Sequence, residues 1–382
     1  MIKTGILSNK NWKWSEDSLT AAERTACTLV LVFGNRFLLQ QTPNPFLKDL
    51  RAMYPNARLV VASSAGEICN GTRDENTISA AAIVMEKTEV RITCRNIRET
   101  AGDSVKLGAL VARDLKGNKL RSVILFADGY HINGDDLLHD LSEILGKEVQ
   151  ITGGLAGDDA RFQMTLVGLN EDVAEGNIVA VGFYGDHFRT DVGINRGWDL
   201  FGPERTITRS DKHILYEIDN ICALDLYKNY LGKYADELPG SALLFPICIT
   251  APDGKNSLVR TVLSVDEKAG TMQFAGNMPQ GAKLRFMRAN LDQLILGKEN
   301  LEGQLRMGGF DSSQFSLVVS CVGRKIVLSD RIEEEIDSLS EIIHNSSNML
   351  GYFSYGEIGP AMDKTKCYLH NQTTIMTTFT EY

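Results

Sequence analysis

Short apolar runs alternate with amphipathic stretches along the first half of the chain. The runs at 28–33 (TLVLVF), 59–62 (LVVA) and 123–126 (VILF) are rich in aliphatic residues and end at glycine or polar residues, which predicts buried strands. Residues 104–115 and 133–145 carry apolar side chains at a helical spacing. The pattern therefore predicts strands that alternate with helices.

Other apolar runs follow one another directly, as strands of antiparallel hairpins do. Residues 78–86 and 89–97 are separated only by Lys87 and Thr88, which predicts a tight hairpin turn. Residues 165–169 and 178–184 form a second such pair. Because hairpins occur beside strand–helix–strand units, we predict an α/β protein with mixed sheets and flanking helices.

The apolar pattern thins between residues 188 and 220, where glycines, a proline and mixed charges accumulate. This change predicts a junction near residue 220, with one domain at 25–220 and a second at 221–382. No segment is long or flexible enough to be a free linker. We therefore expect two interlocked domains that share a cleft.

Composition excludes several classes of protein. The chain has 382 residues, of which 43% are hydrophobic and 23% charged, so it is not a disordered or low-complexity chain. The net charge of -9 leaves no basic surplus for binding nucleic acid. No apolar run approaches the ~18 residues of a membrane span. The start of the chain lacks a secretory signal, and seven cysteines occur without a CxxC pair, so a cytoplasmic location is expected.

Three glycine-rich turns follow predicted strands and are the candidate binding elements. They lie at 62–72, 152–162 and 351–360, and two of them contain a Gly-Glu-Ile triplet (66–68 and 356–358). Glycine permits a close approach of backbone to a ligand, but it is equally typical of a plain tight turn. A carboxylate in such a turn can bind a ligand or fix the shape of its own loop. None of the three has a phosphate-loop or dinucleotide-binding motif.

The same three turns resemble the signatures of the FIST family (F-box and intracellular signal transduction), a sensory module with an N-terminal and a C-terminal part. The similar segments are SSAGEI at 63–68, GGLAGD at 153–158 and GYFSYGEIGP at 351–360. Cys321–Arg324 and LHNQT at 369–373 fall in the expected order, and the resemblance runs from about residue 25 to the end. Residue 63 is Ser where many members have Cys.

The resemblance implies a non-enzymatic sensor that binds a small ligand and signals to a separate partner, such as a histidine kinase or a cyclic-di-GMP enzyme. An amino acid or similar metabolite is one expected ligand. Arg324 would pair with a carboxylate of the ligand. The residues expected to line the ligand site are Gly66, Glu67, Gly154, Asp158, Arg324, Tyr355 and Glu357.

Stand-alone members of the NosP type, which the chain resembles in length and layout, bind haem and sense nitric oxide. A haem site needs an axial ligand, for which His370, His131 and His187 are the candidates. The absence of CxxCH means that any haem would be held without covalent attachment. An enzyme that uses Cys321 or Glu67 is a third interpretation, although no GxSxG motif or other catalytic signature supports it. We predict no metal site and no catalytic residue.

Overall fold

Three sheets with the same order of strands form the centre of the protein. The computed structural model describes residues 1–251, 254–306, 314–343, 348–361 and 366–382. Each sheet is built mainly by one of three successive segments, which we call repeats 1 (1–84), 2 (89–184) and 3 (188–381). A further sheet is inserted into repeat 3 between residues 198 and 289, and we call it the inserted sheet.

Repeats 1 and 2 share the order strand, helix, strand, helix, strand, hairpin, strand, and repeat 1 has one further short strand and one further short helix. Repeat 1 contains β1 (Lys3–Lys10), β2 (Lys13–Trp14), α1 (Ala21–Ala26), β3 (Leu29–Gly34), α2 (Arg36–Leu39), α3 (Pro45–Met53), β4 (Arg58–Ser63), β5 (Glu67–Cys69), β6 (Thr72–Asp74) and β7 (Ile78–Val84). Repeat 2 contains β8 (Glu89–Asn96), a 3-10 turn (Ile97–Thr100), α4 (Ser104–Leu115), β9 (Leu120–Ala127), α5 (Gly134–Leu145), β10 (Gln150–Leu155), β11 (Val167–Leu169), β12 (Asp172–Ala174) and β13 (Asn177–Tyr184).

Repeat 3 opens with β14 (Phe188–Asn195) and is then interrupted by the inserted sheet. The strands of the inserted sheet are β15 (Trp198–Asp211), β16 (Ile214–Ile218), β17 (Ile221–Cys222), β18 (Ile247–Thr250), β19 (Ser257–Arg260), β20 (Val262–Asp266), β21 (Thr271–Phe274) and β22 (Lys283–Ala289). A helix, α6 (Ala223–Leu231), and two 3-10 turns (Gly232–Glu237 and Gly240–Leu244) lie between β17 and β18. Repeat 3 then resumes with α7 (Leu291–Leu296), α8 (Lys298–Arg306), β23 (Phe315–Cys321), α9 (Val322–Leu328), a 3-10 turn (Ser329–Arg331), α10 (Ile332–Ile342), β24 (Met349–Ser354), β25 (Gly356–Pro360), β26 (Cys367–His370) and β27 (Thr374–Glu381).

Each repeat donates a hairpin to the sheet of another repeat. The sheet orders are β12-β11-β4-β3-β7-β1-β2 for repeat 1, β26-β25-β10-β9-β13-β8 for repeat 2 and β14-β27-β23-β24-β5-β6 for repeat 3. The central strands β3/β4, β9/β10 and β23/β24 run parallel, and all other pairs are antiparallel. The predicted mixed α/β class and the interlocked arrangement are therefore confirmed.

The inner faces of the three sheets share one apolar core, and the helices cover the outer faces. Phe33, Phe126 and Tyr352 come one from each repeat and meet in this core, with ring centroids 4.4 to 6.1 Å apart. On the outside, buried residues of α4 and α5 such as Leu107 and Leu141 pack against the second sheet. No helix in the described part of the chain has both the length and the apolar character needed to cross a membrane.

The predicted hairpins at 78–97 and 165–184 are wrong, because the two strands of each belong to different sheets. β11 pairs with β4 and β12, whereas β13 pairs with β8 and β9. β7 pairs with β1 and β3, whereas β8 pairs with β13. The chain between them passes from repeat 1 to repeat 2. There the Glu381 carboxylate accepts hydrogen bonds from the N–H groups of Glu86 and Lys87 and from the Thr88 hydroxyl. A partner almost 300 residues away thus holds a connection that resembles a local turn.

The predicted junction at 188–220 contains strands. β14 pairs along its whole length with the threonine-rich β27, and β15 begins the inserted sheet. β14 contains three consecutive polar residues, a glycine and a terminal asparagine, so it lacks the continuous apolar run that marks most strands of the core. The predicted boundary near residue 220 falls between β16 and β17, inside the inserted sheet.

Candidate functional site

The three glycine-rich turns meet at one end of the three central sheets, and we call this place the turn junction. They follow β4, β10 and β24, whose C-terminal ends converge here, a common position for ligand sites in α/β proteins. A cycle of backbone hydrogen bonds joins them: Ala65 N–H to the Phe353 carbonyl (2.9 Å), Gly157 N–H to Ser63 (2.9 Å) and Tyr355 N–H to Leu155 (3.3 Å). A Cβ at Gly157 would lie 3.0 Å from the Ala65 nitrogen, so the glycine allows this contact.

Glu67 and Glu357 occupy equivalent positions in two of these turns, and both are fully buried. Glu67 accepts hydrogen bonds from Ser64, three residues earlier, and from Thr77. Glu357 accepts from Ser354, also three residues earlier (2.6 Å), and from Thr373 (2.9 Å). Burial raises the pKa of each carboxyl to about 8, so both are protonated at neutral pH. Each carboxyl group therefore links its own turn to a threonine, Thr77 before β7 or Thr373 before β27.

Asp158 and Tyr355 link the second turn to the third. Asp158 accepts hydrogen bonds from the Tyr355 hydroxyl and from three backbone N–H groups at 162–164, and it pairs with Arg36 of repeat 1 (3.2 Å). The exposed ring of Phe162 stacks on Tyr355. The predicted residues Gly66, Glu67, Gly154, Asp158, Tyr355 and Glu357 are thus brought together. Their polar groups are engaged within the protein, and ligand binding by them stays a prediction.

Arg324 lies in α9, which directly follows β23, and is fully buried. Its Nε donates to Glu335 (2.7 Å), and its Nη atoms donate to the carbonyls of Arg196 (2.8 Å), Leu294 and Gln372. The guanidinium therefore joins four segments of the chain. A ligand carboxylate would have to displace one of these partners. The sequence analysis instead expected an Arg324 guanidinium that is free to pair with a ligand.

The three candidate histidines differ in their burial and in their neighbours. His370 is buried, its Nε2–H donates to the Gly359 carbonyl (3.3 Å), and burial lowers its pKa to about 3. The His131 side chain is 39% exposed and its Nδ1 lies 3.3 Å from Asp128. His187 is exposed and packs edge-on against the Tyr382 ring.

A pocket of about 710 Å³ lies between repeat 2, the β25–β26 hairpin and the inserted sheet. None of the ten residues predicted for ligand or haem binding lines it. Its apolar wall is formed by Leu138, Val149, Ile151, Ile249, Leu258 and Leu369. Its polar wall includes Asp135, Asp136, Ser142 and Arg260.

Arg260 and Asp135 form the polar centre of this pocket. Both Nη2 contacts to the two Asp135 oxygens are 3.0 Å, and Nη1 donates to the Leu369 carbonyl (2.9 Å). Burial raises the pKa of Asp135 despite the charge of Arg260. One guanidinium therefore ties β19 of the inserted sheet to α5 of repeat 2 and β26 of repeat 3. Sequence analysis missed this pair because Asp135 in the first turn of a helix is explained by the helix dipole alone.

The two groups considered for enzymatic chemistry are both enclosed. Cys321 is 4% exposed, and burial raises the pKa of its thiol, which opposes formation of a thiolate. Glu67 is bound by two hydroxyls as described above. Within the ranges that the structure describes, no three His, Cys, Asp or Glu residues are grouped so that they could hold a metal ion.

Comparisons with known proteins agree with the motifs of the three turns. Residues 28–221 match the model of the FIST N domain, and residues 223–360 match that of the FIST C domain. No curated protein matches the sequence. Two solved structures align over nearly the whole chain. A chorismatase has 10% identity, a TM-score of 0.35 and coverage of 99% of this chain and 98% of its own. A cyanuric acid hydrolase has 7% identity, a TM-score of 0.36 and full coverage of both chains.

Proposed function

The chain belongs to the FIST family, whose domains are sensory, signal-transduction domains, and from this premise we propose that it senses a small organic ligand in the 710 Å³ pocket. The observation that carries the proposal is the position of this pocket. It is walled by the repeats on one side and by the inserted sheet on the other. A ligand there contacts two parts of the fold at once.

The size and lining of the pocket favour a small amphipathic metabolite. Its volume lies within the ~300–1,000 Å³ that is typical of small-molecule sites. An apolar wall and a single buried ion pair suit a ligand with an apolar body and a polar head group. An amino acid with an apolar side chain has this chemistry.

Signalling would follow from the bridge between Arg260 and Asp135. A ligand that binds one arrangement of the inserted sheet more tightly than another shifts the population toward that arrangement. A partner that contacts both sides of the pocket can distinguish the two. We propose a histidine kinase or a cyclic-di-GMP enzyme as this partner, and a role without catalysis.

The proposal is tested by thermal shift and calorimetry with a panel of amino acids and related small acids and amines. Ser142 faces the pocket from α5, so the Ser142→Trp variant fills it. Glu171→Trp, on the exposed turn between β11 and β12, is the matched control. We expect one or a few compounds to raise the melting temperature of the wild type and of Glu171→Trp, but not of Ser142→Trp. Equal responses in both variants, or none with any compound, would overturn the proposal.

Haem-based sensing of nitric oxide remains a prediction of the family resemblance. The described surroundings of the three candidate histidines do not fit a haem, because none of them lines the pocket and His370 is enclosed by protein. The test is the absorbance spectrum of the protein mixed with haemin. A Soret band near 400 nm that is lost in His370→Ala would restore the haem interpretation, and its absence would remove it.

A further inference from the structure

A group of polar side chains between repeat 3 and the inserted sheet contains several buried atoms without hydrogen-bond partners. His370, Asn371 and Gln372 are each at most 1% exposed. Yet His370 Nδ1, Asn371 Oδ1 and both polar atoms of the Gln372 amide have no partner within the described residues. Arg196 Nε is also buried and unpartnered. Most buried polar atoms in folded proteins are paired, so four such residues in one region require an explanation. We call these four residues the polar cluster.

Main-chain contacts bring Arg196 close to Gln372, and His370 and Asn371 directly precede Gln372 in the sequence. Arg324 Nη1 donates to the carbonyls of both Arg196 and Gln372, so the two backbones meet at one guanidinium. The indole N–H of Trp198, two residues after Arg196, donates to the same Gln372 carbonyl (2.8 Å). Arg196 is also close enough to His370 for its charge to lower the histidine pKa, second to the effect of burial.

Gln372 is in a conformation that glutamine adopts rarely. Its φ is +57°, in the left-handed region, and both ends of its side chain are unpaired. Such a backbone is strained, and strained residues are concentrated at functional sites. The Gln372 carbonyl accepts hydrogen bonds from Trp198 and Arg324, whereas its side-chain amide stabilises no other group of the ligand-free fold through hydrogen bonds.

The polar cluster has a positive charge without a counterion. Arg260 is paired with Asp135 and Arg324 with Glu335. Arg196 has no ion pair or side-chain hydrogen bond with any residue that the structure describes. Arg196 is half-buried, and this partial desolvation lowers its pKa. An anion that bound there would remove this cost.

The donors and acceptors of the polar cluster define the class of anion. Arg196 and the Gln372 amide nitrogen are donors. Because His370 Nε2–H donates to Gly359, its Nδ1 is an acceptor, as are Asn371 Oδ1 and Gln372 Oε1. A ligand must therefore accept hydrogen bonds with a negative group and donate at least one. We propose that the polar cluster binds a small oxyanion that carries its own hydrogen-bond donor, as hydrogen phosphate and hydroxycarboxylates do.

Two pairs of small anions that differ in their donor content test this inference. Phosphate carries an O–H donor at neutral pH, whereas sulfate carries none, and glycolate differs from acetate in the same way. A site whose buried acceptors need a donor rejects an analogue without one, because the acceptors are left unpaired. By isothermal calorimetry we expect phosphate to bind about 10-fold or more tightly than sulfate, or glycolate than acetate. Which pair shows the preference identifies the source of the oxyanion.

Variants separate this cluster from other cationic surfaces. Arg196→Gln should weaken the preferred anion about 10-fold or more, while Arg288→Gln, an exposed cation on β22, should leave the affinity unchanged. Circular dichroism confirms that both variants fold. Should Arg196→Gln fail to fold, Asn371→Asp, which has nearly the same shape but repels an anion, should weaken binding by a similar factor.

Equal binding of phosphate and sulfate and of glycolate and acetate would overturn the inference. So would binding that survives Arg196→Gln, or no binding at all, since water alone would then fill the cluster. The inference goes beyond the proposed pocket, which lies on other residues. Anion binding should therefore persist in Ser142→Trp, and failure of either proposal leaves the other intact.

Discussion

Three buried glutamates show how local donors decide the state of a carboxyl group. Glu67 and Glu357 accept hydrogen bonds mainly from hydroxyl groups, and burial raises the pKa of each to about 8. For Glu381, burial also raises the pKa, but backbone N–H groups of Glu86 and Lys87, the Thr88 hydroxyl and the N-terminal ammonium outweigh it, and its pKa is lowered to about 2. The first two are neutral at pH 7, and the third is charged.

The neutral pair predicts that stability falls as pH rises from about 4.5 to about 8. Between the unfolded pKa of about 4.5 and the folded value of about 8, the folded state holds protons that the unfolded chain has released. The free energy of unfolding should therefore fall as pH rises through this window, by about 1.4 kcal/mol per pH unit for each group. Glu67→Gln/Glu357→Gln, which cannot titrate, should show a flatter profile in denaturant titrations from pH 5 to 8.

Glu143→Gln is the control for this experiment, because Glu143 is exposed and its replacement should leave the pH profile of the wild type unchanged. Parallel profiles for the wild type and the double variant would show that the two carboxyls are charged in the folded protein.

At the same scale, sequence analysis located the glycine-rich turns and the repeated Gly-Glu-Ile triplet, because glycine and a nearby carboxylate are visible in the sequence. It could not assign their partners. Thr77 and Thr373 lie ten and sixteen residues beyond their glutamates. Ser64 and Ser354 lie in glycine-rich turns, where serine is common and does not by itself indicate a partner. Arg196 was missed because only its neighbours reveal that it is unpaired.

The elements of this fold are exchanged between repeats, which local patterns do not record. The β5–β6 hairpin is contiguous in sequence with β4 and β7 but pairs with β24 of repeat 3. β7 and β8 follow one another after four residues and still lie in separate sheets. Short apolar runs identified several strands of the core, whereas the pairing of these strands depends on how three distant segments close around one core.

The inserted sheet is tied to the repeats by Arg260 and Asp135, which predicts a large cost for removing one partner. Arg260→Gln leaves a buried Asp135 without its cation and should lower the free energy of unfolding by about 3–5 kcal/mol. In Arg260→Gln/Asp135→Asn no charge is left unpaired, so part of the loss should be recovered. Denaturant titration at pH 7 measures both.

A matched pair on the same helix gives the control. Lys212 and Asp136 lie 3.2 Å apart, and the lysine is exposed. Lys212→Gln should cost only about 0–1 kcal/mol. If Arg260→Gln cost no more than this, the bridge would not hold the inserted sheet to the repeats.

At the scale of the molecule, Glu381 joins the two ends of the chain. Its carboxylate lies 3.2 Å from the N-terminal ammonium and binds the connection between repeats 1 and 2. Glu381→Gln loses the charge and brings an amide N–H toward these donors, so we expect a loss of about 2–4 kcal/mol at pH 7. Because its pKa is lowered, this contribution is full above about 4.5 and disappears as pH falls toward 2.

Thermal melts at pH 7 and pH 3 measure this effect. Glu86→Gln, an exposed residue 3.7 Å from the same ammonium, should change stability by less than about 1 kcal/mol. A difference between Glu381→Gln and the wild type that grows on acidification would contradict the assignment.

The exchange of hairpins also determines when strands can pair during synthesis of the protein. Since β5–β6 pairs with β24, this early hairpin emerges from the ribosome about 280 residues before the strand it pairs with in repeat 3. β25–β26, made near the end, completes the sheet of the middle repeat. A nascent chain therefore carries exposed strand edges until its last fifty residues are made, and premature termination leaves two of the three central sheets open to pairing with other molecules.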